Sequence, residues 1–214
     1  MSTPTSLAIS HGDTRSAAPP ASAPRKLPDG WRMARLGDVC EIIMGQSPPG
    51  HTYRKVVEGL PFFQGKADFG EHHPTATTWC VAPNKIAEPG DILISVRAPV
   101  GPTNVADVKC CIGRGLAAIR CSATIDRDFI LAFLKLIERD MARSGSGSTF
   151  GAISRTQLEA IPIPLPPLAE QRRIAARLNE QMAHVARARA AAERELAIIN
   201  ALPAAILRSA FHGA

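Results

Sequence analysis

The sequence predicts an α+β protein: a mixed, β-rich globular domain with packed helices, followed by a long C-terminal coiled-coil helix. Three observations carry this. Short apolar, β-branched runs such as Ile92-Leu93-Ile94-Ser95-Val96 are closed off by Gly and Pro on both sides, which is how strands are punctuated. Between Asp126 and Met141 the apolar residues Phe129, Ile130, Phe133, Leu134, Ile137 and Met141 recur at helical spacing, with Asp126 placed to cap the first turn and Asp128 within it. After Pro167 an apolar row continues for about forty residues in alternating steps of four and three, the period of a coiled-coil seam. The chain divides accordingly into a tail (1–27), a globular domain (28–167) and a helix (168–214).

Composition bounds the rest. A chain of 214 residues with 45% hydrophobic content can bury a real core in one domain and still carry an appendage. No apolar run approaches the ~18 residues of a membrane helix. The tail is rich in Ser, Thr, Ala and Pro and lacks the apolar stretch of a secretory signal, so disorder is expected there. Cys40, Cys80, Cys110, Cys111 and Cys121 are odd in number and form no CxxC pair. Reduced thiols of a cytoplasmic protein, rather than a disulfide framework or a zinc site, are the expectation. The net charge of +6 hints at nucleic acid, yet it divides as +2 in the tail, +1 in the domain and +3 in the helix. The domain can bind a polyanion only by gathering its basic residues on one face.

Leu27-Pro28-Asp29-Gly30-Trp31 is a turn signal leading into an amphipathic stretch to Met44, read as a strand or a short helix. Gly45-Gln46-Ser47-Pro48-Pro49-Gly50-His51-Thr52-Tyr53 is too rich in Gly and Pro for regular structure and reads as a polar surface loop. In Phe62-Phe63-Gln64-Gly65-Lys66-Ala67-Asp68-Phe69 the phenylalanines favour the core. Gln64 and Lys66 suit recognition: Gln can bond an adenine in two places, and Lys reaches guanine or phosphate. His72 and His73 lack further ligands at metal-binding spacing, so no metal site is assigned. Arg97 ends the strand that begins at Ile92 and either closes an internal ion pair or points at a ligand. Arg114 lies between Gly113 and Gly115, where the backbone can approach a partner closely. The stretch Ser144-Gly145-Ser146-Gly147-Ser148-Thr149-Phe150 is either a linker or a loop whose N–H and hydroxyl groups hold phosphates.

In Ile161-Pro162-Ile163-Pro164-Leu165-Pro166-Pro167 the prolines impose an extended or polyproline-like strap, and Pro167 and Glu170 suit a helix start. The helix seam then runs through Ile174, Leu178, Val185, Ala192, Ile199, Leu202 and Ile206, with a weaker middle at Gln181 and Ala188 and a polar break at Glu195. One helix cannot bury such a stripe alone, so a second helix is its expected partner. Pro203 is expected to kink or end the straight part, leaving a further turn or two to Phe211.

These stretches resemble the specificity subunits of type I restriction-modification systems. The marks are Leu27 to Trp31, Met44-Gly45-Gln46-Ser47-Pro48-Pro49-Gly50, Gly90 to Gly101, Gly113-Arg114-Gly115-Leu116-Ala117-Ala118-Ile119 and, above all, Pro166-Pro167-Leu168-Ala169-Glu170-Gln171-Arg172-Arg173-Ile174. The resemblance covers about 28–212. It implies a target recognition domain that reads half of a split sequence in double-stranded DNA, and a spacer helix that sets the gap and docks modification (methyltransferase) subunits, with a restriction subunit engaged indirectly. It implies no catalysis in this chain; S-adenosylmethionine, ATP and Mg belong to partner subunits. Family members usually carry two recognition domains and two spacer helices, whereas one of each is found here. A half-size subunit that self-associates through its helix, and a truncated product, both fit. The candidate DNA-binding set is Gln46, Ser47, Gln64, Lys66, Arg97 and Arg114, with Ser146, Ser148 and Thr149 as phosphate holders.

Two other classes compete. A hydrolase using Cys80 or Cys111 with His72 or His73 lacks any nucleophile motif ahead of a helix. A pure interaction protein, a decoy partner of a modification subunit, would keep the helix without the reading face.

Overall fold

The computed structural model describes residues 27–145 and 152–212. The expected disordered tail, apart from Leu27, and the candidate phosphate holders Ser146, Ser148 and Thr149 lie outside them.

The stretch from Trp31 to Met44 turns out to be both of the things expected: a strand β1 (Arg32–Arg35), a single helical turn α1 (Leu36–Val39) and a strand β2 (Cys40–Met44). The following Gly/Pro-rich stretch is less irregular than its composition suggests. Gly50–Thr52 form one 3-10 turn, because the Thr52 hydroxyl donates to the Pro49 carbonyl at 2.7 Å, and a strand β3 (Tyr53–Arg54) starts directly after it. Short strands β4 (Leu60–Phe63), β5 (Trp79–Cys80) and β6 (Ile86–Ala87) follow. Next come β7 (Ile92–Ser95), β8 (Thr103–Val105), β9 (Cys110–Ile112) and the six-residue β10 (Leu116–Cys121). The chain closes with α2 (Arg127–Gly145), α3 (Arg155–Glu159), β11 (Pro162–Leu165) and α4 (Leu168–His212).

Two main sheets result. One has the order β2-β10-β7-β8 and is antiparallel throughout; the other has the order β3-β5-β4-β9-β6 and contains a parallel β4–β9 pair. Side chains alternate across a strand, and β7 and β10 use both faces. Ile92, Ile94, Ala117 and Ile119 enter a core shared with Phe129, Ile130 and Leu134 of α2 and Leu158 of α3. Leu93, Leu116 and Ala118 enter a second core with Phe63, Cys110 and Ile112 of the other sheet. The central sheet is therefore covered on both sides, which explains its unbroken apolar runs.

The expected cap on α2 is present: Asp126 Oδ1 accepts the Phe129 N–H at 2.9 Å. α3 is capped in the same way by Ser154, with Gln157 reaching back to the Ser154 N–H at 2.8 Å. The proline strap is extended, as expected, and also pairs with β1, with Ile163 opposite Ala34 and Leu165 opposite Arg32. Of its four residues only these two carry an N–H, so prolines at alternate positions leave a ladder intact on one side. α4 starts at Leu168, where the Pro167 carbonyl accepts from the Glu170 and Gln171 N–H groups. It runs through Pro203 to His212, so of the two outcomes expected at Pro203 an end of the helix does not occur, while the expected further turns to Phe211 are present; Pro203 forfeits one backbone bond inside a continuous helix.

One buried charge is built into this frame. Asp91 is 3% exposed and receives Arg120 through two bonds, at 3.0 and 2.7 Å, plus the Glu88 N–H at 2.8 Å. The Arg120→Met variant keeps the apolar stem and leaves that carboxylate with its backbone donor alone. Breaking a fully enclosed pair costs about 3–5 kcal/mol; partial exposure of Arg120 reduces the expected loss to about 2–3 kcal/mol. Urea unfolding followed by the fluorescence of Trp31 and Trp79 measures it.

Candidate nucleic-acid interface

The chain passes from one sheet to the other through Gly113-Arg114-Gly115, between β9 and β10. Three other segments end at the same seam. The Gly113 N–H donates to the Phe63 carbonyl at 2.8 Å, which brings in the end of β4. The Gly45 and Gln46 N–H groups donate to Leu116 at 2.9 Å and Ile112 at 3.0 Å, which brings in the end of β2. The Val96 N–H donates to the Gly115 carbonyl at 2.9 Å, placing Arg97 beside them. The backbones are so close that a Cβ on Gly115 would strike the Gln64 carbonyl, and one on Gly45 would strike the Gly113 carbonyl. Glycine is required there for close approach.

Six sequence-predicted residues are gathered by this seam. Gln46, Gln64, Lys66, Arg97 and Arg114 are exposed, and Ser47 is half-buried with its hydroxyl oxygen accepting the Arg114 N–H at 3.3 Å. Asp68 shapes the Gln64 turn by accepting the Gln64 and Gly65 N–H groups at 2.6 and 3.3 Å. Arg54, Lys109, Arg120, Arg127 and Arg155 each sit against a carboxylate. Among the described residues no carboxylate pairs with Lys66, Arg97 or Arg114, so the internal ion pair considered for Arg97 is not formed there. Among the described residues Arg32, Arg35, Lys55, Lys85 and Lys135 also have no carboxylate partner, so what marks the seam is that three such cations gather there beside polar recognition side chains. Arg97 pairs with Ala152, and the Ile153 N–H donates to the Val96 carbonyl at 3.0 Å. The chain that follows Ser146, Ser148 and Thr149 therefore returns beside Arg97.

Tyr53 and Asp68 were missed by sequence reasoning. The Tyr53 ring stacks on Phe62 at 4.7 Å between centroids, and its hydroxyl donates to the Pro48 carbonyl at 2.8 Å, pinning the loop that carries Gln46 and Ser47. An aromatic residue directly after a Gly/Pro-rich loop was the available signal. Phe62 and Phe63 are buried and Phe69 half-buried, the core role expected of them.

The alternative thiol chemistry fares poorly. Burial pushes the Cys111 thiol up to about 11 and Cys110 up to about 12, away from the depressed values of nucleophilic thiols. His73 Nδ1 lies 2.9 Å from the Val105 carbonyl, and His72 is exposed beside Glu71. Among the described residues no group of three or more His, Cys, Asp and Glu could hold a metal ion, and no helix is long and apolar enough to cross a membrane.

A second surface lies on α4. Ile174 is half-buried against the domain's own core, with Ala175 and Gln171 buried next to it. Beyond them Leu178 is 38% exposed, Val185 58%, Ile199 59%, Leu202 48% and Ile206 64%, and Ala192 is exposed as well. Met182, Leu196 and Phe211 add to this apolar exposure.

Known proteins share this sequence and fold. The model of the type I restriction modification DNA specificity domain matches residues 28–185. A putative type I restriction enzyme MjaX specificity subunit of Methanocaldococcus jannaschii is 47% identical over 157 residues, covering 72% of this chain and 37% of that protein. The EcoKI specificity subunit of Escherichia coli K12 is 27% identical over 208 residues, covering 88% and 44%. Among solved structures, a chain from a study of assembly and conformational transition of a type I R-M system aligns with a TM-score of 0.82 at 52% identity, covering 91% of this chain and 48% of that one. The HsdS subunit from Thermoanaerobacter tengcongensis aligns with a TM-score of 0.74 at 50% identity, covering 92% and 48%. The chain spans less than half the length of each of these relatives.

Tyr53 is the only tyrosine and reports on the seam. Burial raises its hydroxyl above the ordinary value of 10.0, Cys80 and Cys111 add to the rise, and Arg114 opposes it. Phenolate absorbance at about 295 nm should therefore appear above pH ~10 in the folded protein and near it in urea. A folded value above the unfolded one stabilises below the unfolded value, and that contribution is lost as pH rises through the folded one. Arg114→Ala removes the opposing charge and should move the folded midpoint further up.

Proposed function

The chain belongs to the type I restriction-modification DNA specificity family, and from that premise we propose that it reads one half of a two-part DNA target and docks methyltransferase subunits, working as a dimer through α4. The observation that carries the reading is the seam, where exposed Gln46, Gln64, Lys66, Arg97 and Arg114 project from four loops with their cations uncompensated. Arginine can bond the O6 and N7 of guanine together, and glutamine the N6 and N7 of adenine. Lys66 and the segment of Ser146, Ser148 and Thr149 are suited to phosphates, which position the domain without specifying bases.

The exposed row on α4 supports the dimer, because a helix with so much apolar surface calls for a partner. A second copy packed antiparallel supplies one. Two-fold symmetry then implies an interrupted palindrome as the target. With a net charge of +1 on the domain, a single body should bind weakly and with strong salt dependence, so tight binding depends on two bodies and the partner subunits acting together. Methyl transfer from S-adenosylmethionine, and any ATP- and Mg-dependent restriction by a further subunit, are assigned to the partners in the cytoplasm; this chain contributes recognition and geometry.

Enrichment of random duplex DNA by the chain assembled with its methyltransferase subunits tests the reading. A split, palindromic motif is expected; recovery of the complex with no motif leaves an interaction partner only and overturns it. Arg114→Ala should lower affinity by about 5- to 150-fold, the loss of one arginine–guanine pair of ~1–3 kcal/mol, with thermal unfolding unchanged. Sedimentation of the chain should give a dimer, and Leu178→Asp with Ile199→Asp a monomer. A wild-type monomer at tens of micromolar would remove the dimer from the proposal.

A further inference from the structure

The junction between body and helix contains one buried polar side chain whose two ends serve different segments. Gln171 is 2% exposed. Its Oε1 accepts the Asp126 N–H at 2.8 Å, and its Nε2 donates to the Pro166 carbonyl at 2.9 Å. Asp126 is itself the cap of α2, and Pro166 follows the strap that pairs with β1. One amide in the first turn of α4 thereby ties the helix to the root of α2 and to the strap.

Apolar packing does not fix that angle on every side. Only Gln171 and Ala175 of α4 are buried, with Leu168, Glu170 and Ile174 half-buried beside them and Ala191 half-buried further along, so the body holds about two turns of a 45-residue helix. Beside them lies a groove of about 260 Å³ lined by Gly30, Arg32, Thr124, Ile125, Leu165 and Gln171, among others, which leaves room for the helix root to tilt. Apolar contacts are non-directional, whereas the two hydrogen bonds of the Gln171 amide demand a particular orientation. The consequences grow with length. From Ala175 to His212 the helix extends about 55 Å at 1.5 Å per residue, so a tilt of about 10° displaces its far end by about 10 Å, the rise of roughly three base pairs.

We infer that Gln171 is a positioning residue that sets the number of base pairs between the two half-sites, by fixing the angle at which α4 leaves the recognition domain. This rests on the bipartite reading above. Its role is separable from base choice, because Gln171 lies at the Cys121 end of β10 and the seam lies at the Leu116 end.

The test is the same enrichment from random duplex DNA, carried out with the complete complex containing wild type, Gln171→Glu or Gln171→Met. Glu keeps the shape and the Asp126 bond and turns the Pro166 contact into a repulsion; Met keeps the length and removes both bonds. Wild type should select one gap between its half-motifs. Both variants should select the same half-motifs with gaps spread over about three base pairs, Met more broadly than Glu. Unchanged half-motifs at one unchanged gap, even with a lower Tm, would make Gln171 a stabilising residue only and overturn the inference. Absence of any half-motif with wild type would instead overturn the parent reading, and this inference with it. Should neither variant fold, amide exchange in the wild-type chain decides: a slowly exchanging Asp126 N–H is expected from the clamp, and exchange at the rate of an open loop overturns it.

Discussion

The pairing of β1 with the proline strap is the constraint on which the rest of the molecule hangs. It lays the first strand of the body alongside the last, with Arg32 to Arg35 against Leu165 to Pro162. The Leu36 N–H then reaches the Ile161 carbonyl at 2.9 Å, and Gly37 lies so close to Glu159 that no side chain would fit between them. Ala34, Leu36, Leu158, Ile161, Ile163 and Leu165 join one core as a result. Because the ladder ends two residues before α4 begins, the long helix leaves from a closed and packed corner rather than from a loose end.

Strand β10 connects that corner to the proposed reading edge. Its first residue, Leu116, receives the Gly45 N–H at the seam, and its last, Cys121, leads within five residues to Asp126, whose N–H bonds Gln171. It is paired on both sides, by β2 and β7, and Leu116 to Ile119 are fully buried. A six-residue strand is about 20 Å long. The two surfaces are thus joined by a buried strand that is paired on both sides and held laterally by Arg120 on Asp91 at the helix end. On the proposed function, base recognition can vary in the loops without disturbing the corner from which the helix leaves.

What the sequence made legible follows from how local each signal is. α2 was readable from Phe129 to Met141 and from its Asp126 cap, and the strap and α4 from prolines and a heptad row, because each depends on residues within a turn or two. The apolar runs of β7 and β10 were equally clear. The five-stranded sheet was not: β3, β5 and β6 are two residues long, and the parallel pairing of Phe62 with Cys111 links positions far apart in the chain. α3 escaped because its cap, Ser154 with Gln157, is brief and follows a Ser/Gly stretch. For the candidate site, residue types picked out Gln46, Gln64, Lys66, Arg97 and Arg114 one at a time. That they share a seam depends on Gly45 and Gly115 lying against carbonyls of other loops, which no spacing along the chain reveals. Gln171 was visible only as part of a motif, since its partner Asp126 is 45 positions away.

The two kinds of contact on α4 suit different tasks. Along most of its length the helix presents Val185, Ile199, Leu202 and Ile206 as a broad apolar row. Such a surface gains free energy from being covered in almost any register, because hydrophobic burial scales with area and has no direction. At its root the helix is held by hydrogen bonds of the Gln171 amide, which weaken steeply when misaligned. In the proposed function α4 spaces two recognition domains, which needs lateral cover along its length and angular definition at each end. The apolar row supplies the first, and it cannot supply the second, since a partner helix sliding or tilting over Leu, Val and Ala loses little. The directional element must therefore sit where the rod meets the body, and Gln171 is the buried polar side chain of α4 placed there.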